Sequence, residues 1–314
     1  MAGESRAPRP VVGKARTAVA VAAPKRQAVA AGGRAATTQR DYDGALGMVV
    51  LDFGNPFFGE VASAAEVAAE AAGYGLVLAH SSGSPSKEAA VLELLEGMGV
   101  RGILLTPLNA SPKLLATIVA RDVPVVLVDC RRPNEHVSAV TVDNRGGGAL
   151  AGQHLIGAGH DRIVMLNGPS TIDVCQERLA GLRDAAQDAG LDPAVAIIEV
   201  ACPSTNEYEG QRAVDRVLAE DPTAVFCAND LLAVGLIREL TLRGLTVPGD
   251  LAVMGYDDIE LAYTLNPPLS TIRQPMKELG SLAAQQLIAE IEGGGRPRQY
   301  ELDAQLVIRE STGG

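Results

Sequence analysis

The sequence lacks tryptophan, and only 3% of its 314 residues are aromatic. It also lacks the uninterrupted run of about 18 to 20 apolar residues that a membrane-spanning helix requires. The first apolar candidate, AVAVAA at residues 18–23, ends at Pro24 and two basic residues. Since a signal-peptide core needs about 7 to 15 apolar residues, this run is also too short for export. We therefore expect a cytoplasmic protein with no membrane association.

The cysteines form no C-x-x-C pair, and each lies inside or beside an apolar run: Cys130, Cys175, Cys202 and Cys227. Such spacing predicts reduced thiols in the core rather than disulfides or a metal site. No histidine pattern typical of metal ligands occurs either. We expect no metal and no cofactor.

The motifs of common enzyme classes are missing as well. The chain contains no P-loop, no G-x-S-x-G elbow and no H-E-x-x-H helix. Gly146, Gly148 and Ala151 are spaced as in a dinucleotide fingerprint, but no acidic residue ends the following strand, RIVMLNGPS. We expect no catalytic activity.

The charge is distributed unevenly. Residues 1–40 contain eight basic residues and one acidic residue, whereas the remainder contains 19 basic and 37 acidic residues, a balance of −18. A basic arm on an acidic body is compatible with nucleic-acid binding, and equally with a disordered tail rich in Ala, Arg, Gly and Pro. Charge alone favours the disordered tail.

From residue 46 onward, short apolar runs alternate with amphipathic stretches of helical length. This alternation predicts an α/β fold with parallel sheets and helices on both faces. The pattern runs twice, so we expect two doubly wound lobes. The predicted strands include LGMVVLDF, GLVLAHS, RGILLTP and PVVLVDC in the first lobe, and RIVMLNGP, VAIIEVA, TAVFCAND and DLAVMGYDD in the second.

The alternation of strand and helix patterns ends after residue 268, where PPLSTIRQP leads into one more helix and one last strand, predicted over 299–308. These two elements suggest that the chain crosses back to complete both lobes, with GGGRP at 293–297 as the crossing point. The expected division is a basic arm at 1–45, an N-lobe at 46–143 plus 276–294, and a C-lobe at 144–273 plus 297–312.

Polar side chains follow most of the predicted strands. Ligands of open parallel sheets bind beyond the carboxyl ends of the strands, so these residues predict a site for a sugar or nucleoside-like molecule between the lobes. Each residue also has an ordinary structural explanation. Asn55, Asn229 and Asp257 suit helix caps or turns, Arg178 suits a surface ion pair, and one ring of Phe57 and Phe58 suits the core.

Several segments, in order, resemble the lactose/galactose-repressor (LacI/GalR) family of bacterial transcription regulators. They are NPFFGEV, PVVLVD, VDNRGGG, HLIGAGHDRI, RLAGLRDA, AVFCANDLLAVGLIREL, VPGDLAVMGYDD, PPLSTIRQP and VIRESTGG. The resemblance covers residues 46–314. It implies a periplasmic-binding-protein-like fold with two lobes, three crossovers near residues 144, 274 and 295, an effector cleft, and a homodimer that binds operator DNA.

The resemblance also assigns site residues. It implies that Phe58 is a ring of the cleft, that Arg178 binds effector hydroxyls or a carboxylate, and that the remaining positions hydrogen-bond the effector: Asp129, Asn229, Asp257 and Gln274. Asn55 and Phe57 adjoin Phe58, and we expect one ring to face the ligand while the other packs beneath it. Where many members carry an aromatic residue, this chain places Thr205 or Asn206 at the cleft wall.

The start of the chain departs from the family pattern. Members begin with a helix-turn-helix and a hinge helix, but residues 1–45 show no spacing for a three-helix unit. Loss of that domain, a divergent phosphate-binding arm and a start read in the wrong frame are the three explanations. The competing functions are a sugar-binding protein of an importer and an effector-sensing core without its own specific DNA contacts.

Overall fold

The structure is a computed structural model that describes residues 42–108, 112–120, 123–131 and 134–313. The predicted basic arm at 1–45 lies almost entirely outside these segments, so the structure does not test it. None of the helices in the described segments combines the length and apolar character needed to span a bilayer.

The first lobe is built on a six-stranded sheet in which every neighbouring pair is parallel. Apolar residues are buried on both faces of its central strands, as expected for a sheet covered by helices on both sides. In spatial order β11-β5-β4-β3-β1-β2, the strands are β1 (Gly44–Val50), β2 (Tyr74–His80), β3 (Ile103–Leu105), β4 (Val125–Val128), β5 (Ser138–Val142) and β11 (Gln299–Leu302).

The second lobe repeats this arrangement in the order β12-β10-β9-β8-β6-β7. Its pairs are parallel except for β10 and β12, which are antiparallel. The strands are β6 (Ile163–Asn167), β7 (Ile197–Ala201), β8 (Ala224–Cys227), β9 (Ala252–Asp257), β10 (Ser270–Arg273) and β12 (Gln305–Val307). The predicted α/β fold with two doubly wound lobes is confirmed.

The helices begin where polar residues follow strand ends. Asn55, Asp143 and Asn229 each accept a hydrogen bond from a backbone N–H of the first helical turn. The helices are α1 (Pro56–Ala71), α2 (Pro85–Gly97), α3 (Pro112–Val119), α4 (Asn144–Gly157), α5 (Asp173–Asp188), α6 (Pro193–Ala196), α7 (Glu207–Arg212), α8 (Val214–Leu218), α9 (Asp230–Leu242), α10 (Glu260–Thr264) and α11 (Met276–Ile291). The single helix predicted over 207–219 is divided at Ala213 into α7 and α8.

The third crossover lies later in the chain than the sequence predicts. Gly293 adopts a positive φ of 78° and ends α11, and the chain then returns to pair Gln299–Leu302 with β5 of the first lobe. The crossing follows at residues 303–304, before β12 joins the second lobe. The predicted strand over 299–308 is therefore two strands, one in each lobe. The assignment of 297–312 to the C-lobe was wrong for β11.

Apolar side chains form the cores of both lobes. In the first lobe, α1 and α11 cover one face of the sheet, and α2 and α3 cover the other. Two residues of the second lobe, Leu231 and Ile259, are buried in the first lobe's cluster beside Phe57 and Phe58. The lobes are thus joined by apolar packing as well as by the crossovers. All four cysteines are buried free thiols.

Candidate functional site

A cleft of about 470 Å³ lies between the lobes, at the carboxyl ends of their parallel strands. Its volume is within the range of about 300 to 1,000 Å³ that small-molecule sites occupy. The wall contains all nine side chains predicted from the sequence: Asn55, Phe57, Phe58, Asp129, Arg178, Thr205, Asn229, Asp257 and Gln274. Contact of each with a ligand stays a prediction.

Arg178 is the positive charge at the base of the cleft. It projects from α5, is 4% exposed, and its guanidinium carbon lies 3.6 Å from the centre of the Tyr256 ring. Its Nε donates to Asn144 Oδ1 at 2.8 Å, and its Nη1 donates to the Ala228 carbonyl at 2.6 Å. The ordinary surface ion pair is therefore excluded for this arginine. Stacking and two fixed hydrogen bonds hold the guanidinium in one orientation.

Asp257 ends β9 opposite this arginine and joins the two lobes. Its Oδ1 accepts a hydrogen bond from Gln274 Nε2 at 2.7 Å and lies 3.9 Å from Arg178 Nη1. Its Oδ2 accepts from Asn55 Nδ2 at 3.2 Å, across the cleft. Burial raises the pKa of Asp257, and the charge of Arg178 partly offsets that rise. The carboxyl group therefore receives donors from both walls.

Asp129 carries an unused acceptor. It follows β4 with a positive φ of 54°, is 8% exposed, and lines the cleft. Its Oδ1 has no hydrogen-bond partner among the described residues, and the same holds for Gln274 Oε1. Burial raises the pKa of Asp129 to about 7, although the charge of Arg178 acts to lower it. Since buried acceptors are normally paired, these two oxygens are suited to donors of a bound molecule.

Phe57 and Phe58 form an edge-to-face pair in the first turn of α1. Their ring centres are 5.1 Å apart, with an interplanar angle of 77°. Both are buried, and both contribute to the cleft wall. That one ring faces the ligand while the other packs beneath it stays a prediction. The third nearby phenylalanine, Phe53, is half-exposed and lies against the ring of His80 instead.

Asn229 connects the start of α9 to the loop of Thr205 at the far wall of the cleft. Asn229 caps α9 by accepting from the backbone N–H of Leu232 at 3.0 Å, as the structural explanation of this residue expects. Its Nδ2 also donates to the Thr205 carbonyl at 2.9 Å. One side chain therefore starts a helix and fixes the loop that carries Thr205 and Asn206.

Three buried side chains behind the wall were not among the predicted site residues. Asn144 accepts from Arg178, Tyr256 lies under its guanidinium, and Asp230 binds the turn after β9. Each lies within a segment that carries the family resemblance: VDNRGGG, GYDD and AND. In AND and GYDD the neighbouring residues Asn229 and Asp257 follow strand ends and were predicted, but nothing in the sequence signals the contacts of Asn144, Tyr256 and Asp230.

Comparisons with known proteins agree with this architecture. Residues 152–312 match the family of the periplasmic binding protein-like domain. The HTH-type transcriptional repressor PurR of Photobacterium profundum is 34% identical over 272 residues, which cover 85% of this chain and 80% of the relative.

Solved structures show the same fold. The transcriptional regulator CelR in complex with cellobiose is 32% identical, with a TM-score of 0.76 over 85% of this chain and 84% of that chain. A LacI family transcriptional regulator from Enterococcus faecium with bound ribose is 26% identical, with a TM-score of 0.77 over 85% of this chain and 98% of that one. The chain belongs to the LacI/GalR family of transcriptional regulators, and its two lobes are the effector-binding core of such a regulator.

Proposed function

We propose that the cleft binds a small, uncharged polyhydroxyl effector, a sugar in the first instance. The observation that carries this proposal is a pair of buried acceptors, Asp129 Oδ1 and Gln274 Oε1, which have no hydrogen-bond partner in the described segments and accompany the fixed donor group of Arg178. A sugar presents several hydroxyls, each of which both donates and accepts, and so can satisfy acceptors and a donor that lie close together. The proposed ligand contacts include Asn55, Asp257 and the two rings of α1.

The charge of the cleft supports an uncharged effector. Its described wall contains three aspartates, Asp52, Asp129 and Asp257, and one basic residue, Arg178. Arg178 already faces Asp257 at 3.9 Å, so little of its charge remains for an anionic ligand. A phosphate or carboxylate would meet like charges at short range in a poorly screened site. Ribose and cellobiose, which are bound to two similar regulators, are uncharged.

We propose lobe closure as the regulatory movement, with hinges at the three crossovers. Asn55 and Asp257 meet across the cleft, and Arg131 of the first lobe pairs with Glu177 of the second at 3.2 Å. A ligand that contacts both walls favours the closed arrangement over the open one. To shift nearly all molecules from the open to the closed arrangement, the ligand must bind the closed form more tightly by about 5 kcal/mol.

A homodimer that binds operator DNA is the proposed acting form, in the cytoplasm and without catalysis. Exposed apolar residues on α1 and on the edge strand β2, Val67 and Leu78, offer apolar surface to a second copy. Operator binding is proposed from the family alone, because residues 1–45 show no helix-turn-helix pattern and their net positive charge accounts only for attraction to phosphates. The second candidate is an effector-sensing core that lacks its own specific DNA contacts.

Isothermal titration of the full chain tests the effector class. The panel consists of ribose, glucose, cellobiose, adenosine and glucose 6-phosphate. We expect at least one of the three neutral sugars to bind, and glucose 6-phosphate to bind at least about tenfold more weakly than glucose. Tighter binding of the phosphorylated sugar, binding of adenosine alone, or no binding of any sugar contradicts the proposal.

A gel-shift titration tests the DNA function. The full chain is titrated on DNA from upstream of its own gene, with excess competitor DNA, at low and at physiological salt. A discrete complex that survives salt and competitor, and that responds to the effector, supports a working regulator with its own operator contacts. Binding that disappears with salt indicates phosphate attraction only and favours the effector-sensing core.

A further inference from the structure

Asp230 is a fully buried carboxyl group directly behind the cleft. It is the first residue of α9 and has no exposed surface. It does not start the helix, because the capping side chain is Asn229, which accepts from the Leu232 N–H. Since burial of a carboxylate is costly unless it is well bonded, its position requires another explanation.

The carboxyl group connects three elements of the second lobe. Its Oδ1 accepts a 2.6 Å hydrogen bond from the Thr271 hydroxyl on β10, and its Oδ2 accepts a 2.9 Å bond from the Ile259 N–H. A Cβ atom at Gly255 of β9 would lie 2.1 Å from Oδ1, so only glycine leaves room for this oxygen. Asp230 thereby attaches α9 to β10 and to the turn that follows β9.

That turn has an unfavourable backbone. Asp257 has a φ of 114° and Asp258 a φ of 61°, in a region that residues other than glycine rarely adopt. Such conformations are unfavourable and persist only where the surroundings impose them. The bond from Ile259 N–H to Asp230 closes one end of the turn, and ion pairs of Asp258 with Arg273 and Arg309 fix its outer side.

The same turn carries the contacts that join the lobes. Asp257 accepts from Asn55 of the first lobe, and the Ile259 side chain is buried in the first lobe's core. Leu231, the residue next to Asp230, is buried in that core as well. Asp230 is therefore bonded to the segment that carries both the Asp257 carboxyl group of the cleft and the apolar contact of Ile259 with the first lobe.

We propose that Asp230, with Thr271, is a positioning residue that holds Asp257 in its cleft-facing conformation and couples effector binding to the interlobe contact. This inference rests on the proposed function, because it requires that an effector contacts Asp257. Asp230 does not line the cleft and touches no ligand in this scheme. Its effect on affinity passes through the turn at 257–259.

Three substitutions separate positioning from simple support of the fold. Asp230→Asn keeps the shape, since its amide oxygen accepts from Ile259 N–H and its NH₂ donates to the Thr271 hydroxyl, which rotates to accept. Asp230→Ala removes both bonds, and Thr271→Val removes one. The matched control is Ser311→Ala. Ser311 is also fully buried, donates to the Val253 carbonyl and accepts from Ser270 N–H, but within the described part of the chain its side chain makes no bond to the turn.

The measurement is isothermal titration with ribose, glucose and cellobiose, together with thermal unfolding of each variant. We expect Asp230→Ala to lower sugar affinity at least about 30-fold, Thr271→Val about tenfold, and Asp230→Asn less than about threefold. Ser311→Ala should lower the unfolding temperature without changing affinity. Asp230→Ala should reduce sugar affinity clearly less in a protein that already carries Asp257→Asn than in the wild type, because Asp230 acts on the sugar through Asp257.

Each result decides the inference. Equal affinity of Asp230→Ala and wild type, or equal losses in the two backgrounds, overturns the positioning role while leaving the proposed function intact. If Asp230→Ala does not fold, Thr271→Val decides the positioning role. Unchanged sugar affinity in Thr271→Val overturns that role. Weaker sugar binding in Thr271→Val, with nearly normal binding in Asp230→Asn, supports it. If the wild type binds none of the three sugars, the proposed function fails and the inference fails with it.

Discussion

The Asn55 amide donates a 3.2 Å hydrogen bond to Asp257 Oδ2, although the two residues are 202 positions apart and belong to different lobes. The same Asn55 side chain caps α1 through its Oδ1, which accepts from Phe57 N–H at 3.0 Å. One residue therefore fixes the start of the helix that carries both cleft rings and connects this helix to the opposite wall.

Asn55→Asp separates these two roles. Aspartate caps a helix about as well as asparagine, so α1 should keep its start. The new carboxylate, however, faces the Asp257 carboxylate and replaces attraction by repulsion. We expect wider lobe separation in small-angle scattering and at least about tenfold weaker sugar binding. Ser84→Asp is the control because it also introduces an aspartate at a helix N-cap, that of α2, outside the cleft wall. Equal scattering of both variants contradicts the interlobe role.

Arg178→Ala should destabilise the protein as well as abolish sugar binding. A surface ion pair, the ordinary explanation of Arg178 from the sequence, predicts that this substitution leaves the fold intact. The guanidinium is instead buried against Tyr256 and bonded to Asn144 and Ala228. Its loss leaves those acceptors and the charge of Asp257 uncompensated, at a cost of about 3 to 5 kcal/mol. Urea unfolding measures this cost.

Arg178→Lys is the companion variant. It keeps the charge but loses the planar group that stacks on Tyr256, so it should recover part of the stability and little of the affinity. Wild-type affinity in Arg178→Lys would show that a point charge suffices at this position.

Sugar affinity should rise with pH until it levels off above the pKa of Asp129. That pKa is about 7 in the free protein, because burial disfavours the carboxylate. A ligand hydroxyl that donates to Asp129 favours the ionised form, so binding at lower pH requires release of a proton. Ionisation of one group with this pKa gives a gain of up to about tenfold between pH 6 and pH 8.

Titration calorimetry in buffers of different ionisation enthalpy detects the released proton. Asp129→Asn should bind more weakly at pH 8 and lose most of the pH dependence. A pH profile that is unchanged in this variant would assign the titration to another group.

Gly148→Ala should destabilise the second lobe by about 2 kcal/mol. A Cβ at this position of α4 would lie 2.1 Å from the backbone carbonyl oxygen of Arg178, so the helices α4 and α5 would have to separate. Because Arg178 is carried by that backbone, sugar affinity should fall too. Gly157→Ala in the same helix is the control. A Cβ there meets no atom within 4 Å, so it should stabilise the protein by up to about 1 kcal/mol. Equal melting temperatures would contradict the close packing.

Much of the fold was readable from periodicity. The apolar runs that predict β1, β6 and β8 are buried on both faces, and the amphipathic segments after them are helices, because local pattern and burial agree in these elements. The third crossover was misplaced because GGGRP signals only a chain reversal. Which sheet receives Gln299–Leu302 depends on the free edge of β5, and no residue near the glycines encodes that edge.

The sequence also predicted part of the candidate site. Strand ends and segments that resemble the family identified nine of the residues that line the wall, since the carboxyl ends of parallel strands meet at one edge. Asn144, Tyr256 and Asp230 were missed because each contacts a partner at least 29 residues away in the chain. Asn144 and Arg178 are 34 positions apart, and Asp230 and Ile259 are 29 apart.

The sequence by itself determined the two α/β lobes and the polar character of their facing edges, because these follow from local spacing along the chain. Together with the family resemblance, it also identified nine of the residues that line the cleft. Only the tertiary structure decided which acceptors lack a partner among the described residues, that burial raises the pKa of Asp129 to about 7, and that Asp230 bonds to the turn after β9. Those properties depend on burial and on distances between residues far apart in the chain, which exist only after the lobes have packed.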